Sequence, residues 1–384
     1  MRSAILALAA VVLGLLPGQA HAYPWMIKHG YTNCAQCHVD PSGGGVLTDY
    51  GRAQGEVLVQ THFKPMTETP GKEIDFLFGA FKLPEPVALQ ADVRSLVIPE
   101  PSNFRFILMQ ADLRGAVTAG KFIASGSLGT VSDGGQGAWV TSSDSGWNLV
   151  AREYWAGVTP AKGWTVRAGR MNLPFGLRTE DHILYVRSAT RTTINDDQQV
   201  GAALSFANKK FRFEVMGIAG NFQLHPDIFR ERGYSLYANW APAKTVELGV
   251  SSLVTHAKAD VDTLEPRLRM AHGVYTRIAP VDPLAVLAEV DMLRSNDNGD
   301  ASTGLVGSLL LDYEPIQGLH VMGRGGYCNA AFSDPGAAWT AGGAVQWFFA
   351  PRVDIRADVF DGVLYCTDGA EPTPMGLVQA HFYL

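Results

Sequence analysis

The feature that most constrains this chain is a period of two in its hydrophobicity, sustained from about residue 86 onward. Val87, Leu89, Ala91 and Val93 alternate with Ala88, Gln90, Asp92 and Arg94; Ile107, Met109, Ala111 and Leu113 alternate with Leu108, Gln110, Asp112 and Arg114. Phe211, Phe213 and Val215 are set against Arg212 and Glu214, and Val353, Ile355, Ala357 and Val359 against Asp354, Arg356 and Asp358. Side chains on a strand point to opposite faces in turn, so each run presents one apolar and one polar face. Sixteen such runs, from about 86–98 and 104–118 through to 351–361 and 374–384, have the even number and the lengths expected of tilted membrane strands.

The connections between runs are sorted by parity. Gly120, Pro160–Lys162, Ala207–Lys209, Pro242–Ala243, Pro280–Asp282, Glu314–Ile316 and Ala350–Pro351 are short turns, and between them come longer loops rich in Gly and Asp. A soluble β-sandwich or β-helix also alternates, but has no reason to sort its loops this way. Short turns on one side and long loops on the other predict an all-β transmembrane barrel of about 16 strands over 72–384, in the bacterial outer membrane. Charged residues are only 18% of the chain, yet after the start no apolar run reaches the ~18 residues of a membrane helix. A net charge of −6 gives no basic surface for nucleic acid.

The start of the chain reads as an export signal. Met1-Arg2-Ser3 is positively charged, Ala4 to Leu16 is apolar but too short to span, and Ala20-His21-Ala22 is a cleavage pattern, so 1–22 is expected to be removed. The segment 23–71 that follows is short and loop-rich, with too few residues for an easy core of its own.

Within that segment Cys34-Ala35-Gln36-Cys37-His38 is a C-x-x-C-H motif. Two thiols at this spacing attach one c-type haem, with the adjoining histidine as proximal iron ligand. The expectation is therefore one covalent haem c on Cys34 and Cys37, ligated by His38. A dithiol redox pair and half of a zinc site are the alternatives; no β run leads into Cys34, and Cys328 and Cys366 are far away and lack paired spacing. His29, His62 and Met66 are candidate distal iron ligands, with Met26 weaker. Counting strands places Cys328 and Cys366 together on the external side, either bridged or as two free thiols. The longest internal loop, 173–198, carries Arg178, Glu180, Asp181, His182, Arg187, Arg191, Asp196 and Asp197, and is expected to fold inward or sit on the rim.

An export signal, one C-x-x-C-H followed by Tyr50-Gly51-Arg52, and a barrel whose last strand carries Val378, Ala380, Phe382 and Leu384 together resemble the fused outer-membrane cytochrome-porins, some of which are implicated in iron(II) oxidation. The resemblance implies an electron-transfer protein, or an oxidoreductase if it is an enzyme, with a haem at or in the lumen. It would pass electrons between an extracellular donor or acceptor, such as Fe(II), and a periplasmic cytochrome or other carrier. Two other readings stand beside it: a solute-diffusion porin whose N-terminal segment is a structural plug or sensor, and a peroxidase-like enzyme using Arg52 or His29.

Overall fold

The structure is a computed structural model. It describes residues 23–62, 83–84, 86–100, 103–131, 139–141, 147–179, 181, 184–221, 229–333, 336–350, 352–363, 366 and 372–383. The export signal, the boundary at 71, and Met66, Glu180 and His182 lie outside them.

Every strand pairs antiparallel with its sequence neighbour, from β1 (Val87–Glu100) and β2 (Asn103–Ala119) to β15 (Val353–Gly362) and β16 (Met375–Tyr383). β16 also pairs with β1, from Asp92↔Tyr383 to Val97↔Val378, and closes the sheet into a barrel. The segments Asn148–Val150 and Tyr154–Val158 both pair with β3 (Phe122–Val131) and together form one interrupted strand, β4, which makes sixteen strands in all. The interruption is the one place where a predicted run, 146–159, is broken; there Arg152 and Glu153 turn into the lumen and are buried. Elsewhere the strands coincide with the predicted runs to within a few residues.

The two faces have the reverse of soluble burial. On β15 the lumen-side Asp354, Asp358 and Phe360 are buried, whereas outward Val359 is 69% exposed. The outward face is the lipid-facing one, so apolar residues there are solvated by hydrocarbon. Phe122, Phe211, Trp240, Tyr313 and Trp347 ring the end with the short turns, and Phe104, Phe106, Tyr327 and Trp339 ring the other. Such girdles mark the two membrane interfaces. Among the described residues no helix is long and apolar enough to cross a membrane; the crossing is made by strands.

Val274 lies midway along its strand, Arg267–Val281, with its side chain 60% exposed on the lipid face. Val274→Arg should destabilise the barrel by about 2–4 kcal/mol. Urea unfolding in lipid would measure it; a loss no greater than that of Val274→Ala would place this face away from lipid.

Candidate functional site

The lumen is filled from both ends. From the periplasmic end comes the segment 23–62, built of a 3-10 helix Pro24–His29 ended by left-handed Gly30, a 3-10 turn Cys34–Gln36, and a helix Asp49–Gln54. The helix starts where Thr48 accepts a hydrogen bond from the Gly51 N–H at 3.1 Å, satisfying one of the donors a helix start leaves free. Gly51 is required by contact: a Cβ there would meet the Cys37 carbonyl oxygen at 2.2 Å. The segment has no separate core. Tyr23, Trp25, Met26, Ile27, Leu47 and Val59 pack in one cluster with Tyr237, Tyr275, Leu287 and Phe348 of the barrel wall.

Charges fix its position. Lys28 is buried, and its Nζ donates to Asp312 at 2.6 Å and lies 2.9 Å from Glu314. His320 accompanies the same carboxylate, with Nδ1 3.0 Å from Asp312, and the Trp25 ring lies against the imidazole at a 40° tilt, centroids 4.1 Å apart. Arg277 donates to the backbone carbonyls of Pro24 and Thr32, and Arg167 holds Asp40 at 2.5 Å. Burial opposes ionisation of Asp40, but the Arg167 and Arg178 guanidiniums hold its carboxyl below the ordinary range. At the mouth, Thr61 N–H donates to the Phe348 carbonyl at 2.8 Å.

From the other end the long loop after β5 (Trp164–Met171) folds inward, carrying a short helix Tyr185–Thr190. Arg187 pairs with Glu289, which also accepts from the Leu177 N–H at 2.9 Å. Gly176, in the left-handed region at φ 55°, lies so close to Glu289 that a Cβ would collide with the carboxylate. Asp181 is held by Arg324 and Arg356, each at 2.8 Å, and Arg191 donates to Asp260 at 2.6 and 2.9 Å.

Between plug, loop and wall lie narrow spaces. One of about 40 Å³ is lined by Cys34, Cys37, Arg178, Arg212, Tyr237 and Tyr275 among others. A second, of about 60 Å³, is lined by His38, Arg94, Arg114, Glu153, Asn172 and Arg178 among others. A recess of about 560 Å³ opens at the periplasmic turns, with Lys121, Lys162 and Arg212 in its lining and no carboxylate among the described residues there. Arg212 and Tyr237 are common to the recess and the first space, and Arg178 to the first and second. Both guanidiniums lie over the Tyr237 ring, at 5.2 and 5.6 Å.

The fold separates the predicted site residues. Cys34 and Cys37 face the first space and His38 the second, with its Nδ1 2.9 Å from the Gly44 carbonyl oxygen. His29 lies 3.5 Å from Glu314, and His62 reaches the Val57 carbonyl at 3.3 Å. Cys328 and Cys366 are joined by a disulfide, Cα–Cα 5.8 Å. Lys28, Arg212, Tyr237, Asp312, Glu314 and His320 are absent from the sequence-based candidates. Asp312, Glu314 and His320 have the polar parity of their strands, which was a usable signal; nothing local pointed Lys28 toward them across 284 residues.

A sequence profile described as phosphate-selective porin O and P matches residues 127–283. No curated protein matches the chain. Among solved structures, a loop-deletion mutant of OmpT, an outer-membrane protein of Vibrio cholerae, is 11% identical with TM-score 0.61, covering 78% of this chain and 99% of that one. The outer-membrane channel DcaP of Acinetobacter baumannii is 11% identical with TM-score 0.55, covering 78% and 97%. The anion-selective porin from Comamonas acidovorans is 12% identical with TM-score 0.55, covering 77% and 98%.

These findings correct the expected cofactor. Haem c on Cys34 and Cys37 with His38 as ligand is overturned: the matching profile is that of a porin, and no cluster of His, Cys, Asp or Glu among the described residues is arranged to hold a metal. The geometry gives the physical reason. The two thiols and the imidazole face different spaces. The distal-ligand roles considered for His29, His62 and Met66 go with it.

Lys28→Met would leave Asp312 and Glu314 without their cation, a loss of about 3–5 kcal/mol for a buried pair. The expected outcome is faster hydrogen exchange over 24–61 with barrel strands unchanged; equal rates would show that Lys28 does not hold the segment. Burial lowers His38 to about 4, so the docked segment favours its neutral imidazole. This contribution to docking is complete above the free-histidine value of about 6.5 and is lost as pH falls toward 4. Exchange over 24–61 should accelerate across that window, and His38→Gln should flatten the response. Closed antiparallel strands, a lipid-facing apolar belt and a charged lumen give this chain the fold of an outer-membrane porin barrel.

Proposed function

We propose that the protein is a diffusion porin of the outer membrane that passes small anionic solutes, of which phosphate is the class to test first, past an N-terminal plug. The observation that carries this reading is the pair of guanidiniums, Arg178 and Arg212, over the Tyr237 ring, which between them line the recess and both narrow spaces. An anion entering from the carboxylate-free recess is drawn by Lys121 and Lys162 and then meets Arg212. Arg178 carries donors, Nε and Nη1, that are hidden from solvent and have no hydrogen-bond partner. In a water-poor space such donors favour an anion far more than they would on an open surface.

The porin profile and the anion selectivity of the Comamonas acidovorans porin support the anionic class. The spaces between recess and loop are narrow, about 40 and 60 Å³, and a shift of plug or loop would ease the passage of an anion of phosphate size.

In planar bilayers under a salt gradient the protein should give small, anion-selective currents. Arg178→Gln and Arg212→Gln should each remove of order 1 kcal/mol of anion stabilisation, about a fivefold drop in the anion-to-cation permeability ratio. Cation selectivity in the unaltered protein, or no current under any condition, would sink the reading.

A further inference from the structure

The C-x-x-C motif is left without a role by the loss of the haem, yet its sulfurs are not equivalent. Cys34 is half-buried and Cys37 buried at 6% exposure. Both line the same small space, because the turn Cys34–Gln36 folds back tightly, with the Cys37 N–H donating to the Cys34 carbonyl at 3.1 Å. The Arg212 guanidinium donates from Nη1 to the Cys34 sulfur at 2.7 Å. Its carboxylate neighbour, Glu247, stands farther off at 3.6 Å and is engaged by Arg277 at 2.5 Å. The positive charge of Arg212 is thus directed at one sulfur. Asn33, Arg212 and Tyr237 line both this space and the periplasmic recess, so Cys34 is the thiol nearer the open side. The other two cysteines are already bridged.

We propose that Cys34 and Cys37 form a reversible dithiol–disulfide pair, in which Cys34, beside the Arg212 guanidinium, is the attacking sulfur and the buried Cys37 resolves. The co-reactant is a disulfide, small or on a protein, that reaches the recess. The Cys34 thiolate attacks one sulfur of that disulfide, its S–S bond breaks, and one partner thiolate departs, leaving a mixed disulfide. The Cys37 thiol then passes its proton to the departed thiolate, and its sulfur bonds to Cys34 and displaces the second partner thiolate. Two protein thiols are oxidised to one disulfide, the partner disulfide is reduced to two thiols, and Arg212 stays protonated throughout. A half-buried sulfur beside a cation, with a buried second cysteine lining the same space, is the arrangement such exchange requires. His38 takes no part, since its ring faces the other space.

The test uses the full-length protein in lipid or detergent, with a maleimide and glutathione disulfide as probes and intact mass as the readout. Cys34 should be alkylated at least about tenfold faster than Cys37, and Arg212→Gln should slow Cys34 about tenfold at pH 7. Arg212→Lys should retain most of the rate, which separates lost charge from misfolding. Glutathione disulfide should convert the reduced protein to a form lighter by two hydrogens, and Cys37→Ser should stop at the mixed disulfide with glutathione. Equal alkylation of the two cysteines, a Cys34 rate indifferent to Arg212→Gln, or sulfurs carrying an adduct that reduction does not remove would each overturn the proposal.

Discussion

Hydrocarbon offers a backbone no hydrogen-bond partner, and every other feature of this molecule follows from satisfying that condition. A sheet crossing ~30 Å of lipid must have no open edge, so β16 has to find β1. Closure fixes which face each residue takes. Once Asp92↔Tyr383 is in register, Asp92, Asp354 and His381 are brought together in the lumen wall, where His381 bridges the two carboxylates at 3.0 Å each. A slip by one residue would put those groups into lipid.

The lumen is therefore where this chain keeps its charge, and its cores are partly ionic. Neither the plug nor the inward loop has enough apolar surface to stand alone. Each is positioned by charged groups from the wall: Lys28 on Asp312 and Glu314, Asp40 on Arg167, Asp181 on Arg324 and Arg356, Arg187 on Glu289. Buried pairs of this kind add little net stability over a well-packed apolar contact, but removing one member is costly. They act here as registers, setting where a segment sits rather than how tightly the barrel holds together. The plug's apolar residues, Trp25 and Ile27 above all, then pack where the charges have placed them.

How legible this was in the sequence depends on the range of each interaction. The barrel was legible because strand period, turn chemistry and loop parity are local, and all agree; only β4 departed from its run, at Arg152, whose partners Asp112 and the Asn195 carbonyl lie about 40 residues to either side. The inward loop was legible as a charged stretch, since Arg187 and Arg191 have no place in lipid. The site was not, because Lys28 and Asp312, or Cys34 and Arg212, meet only after the wall closes. The C-x-x-C-H motif misled for a related reason. Its spacing states that two sulfurs and an imidazole can converge, whereas the fold of the following glycines decides whether they do. His38 is turned by the Gly44 carbonyl into one space while the thiols line another.

Two obstructions in one lumen raise the question of which yields to a solute, and the partners left behind answer it. Withdrawing the loop strips Arg187 from Glu289 and leaves that buried carboxylate without its cation. Withdrawing the plug strips Lys28 from Asp312, although the His320 ring stays beside that carboxylate, its Nδ1 at 3.0 Å. The loop is also tied by Asp181 and Arg191 at separate points, whereas the plug's mouth end rests on neutral hydrogen bonds such as Thr61 to Phe348. Neutral bonds exchange readily for water at the barrel mouth. The plug's inner part keeps two buried pairs of its own, Lys28 with Asp312 and Asp40 with Arg167, so the lower cost lies with its mouth end, Val57 to Thr61, where the bonds to the wall are neutral.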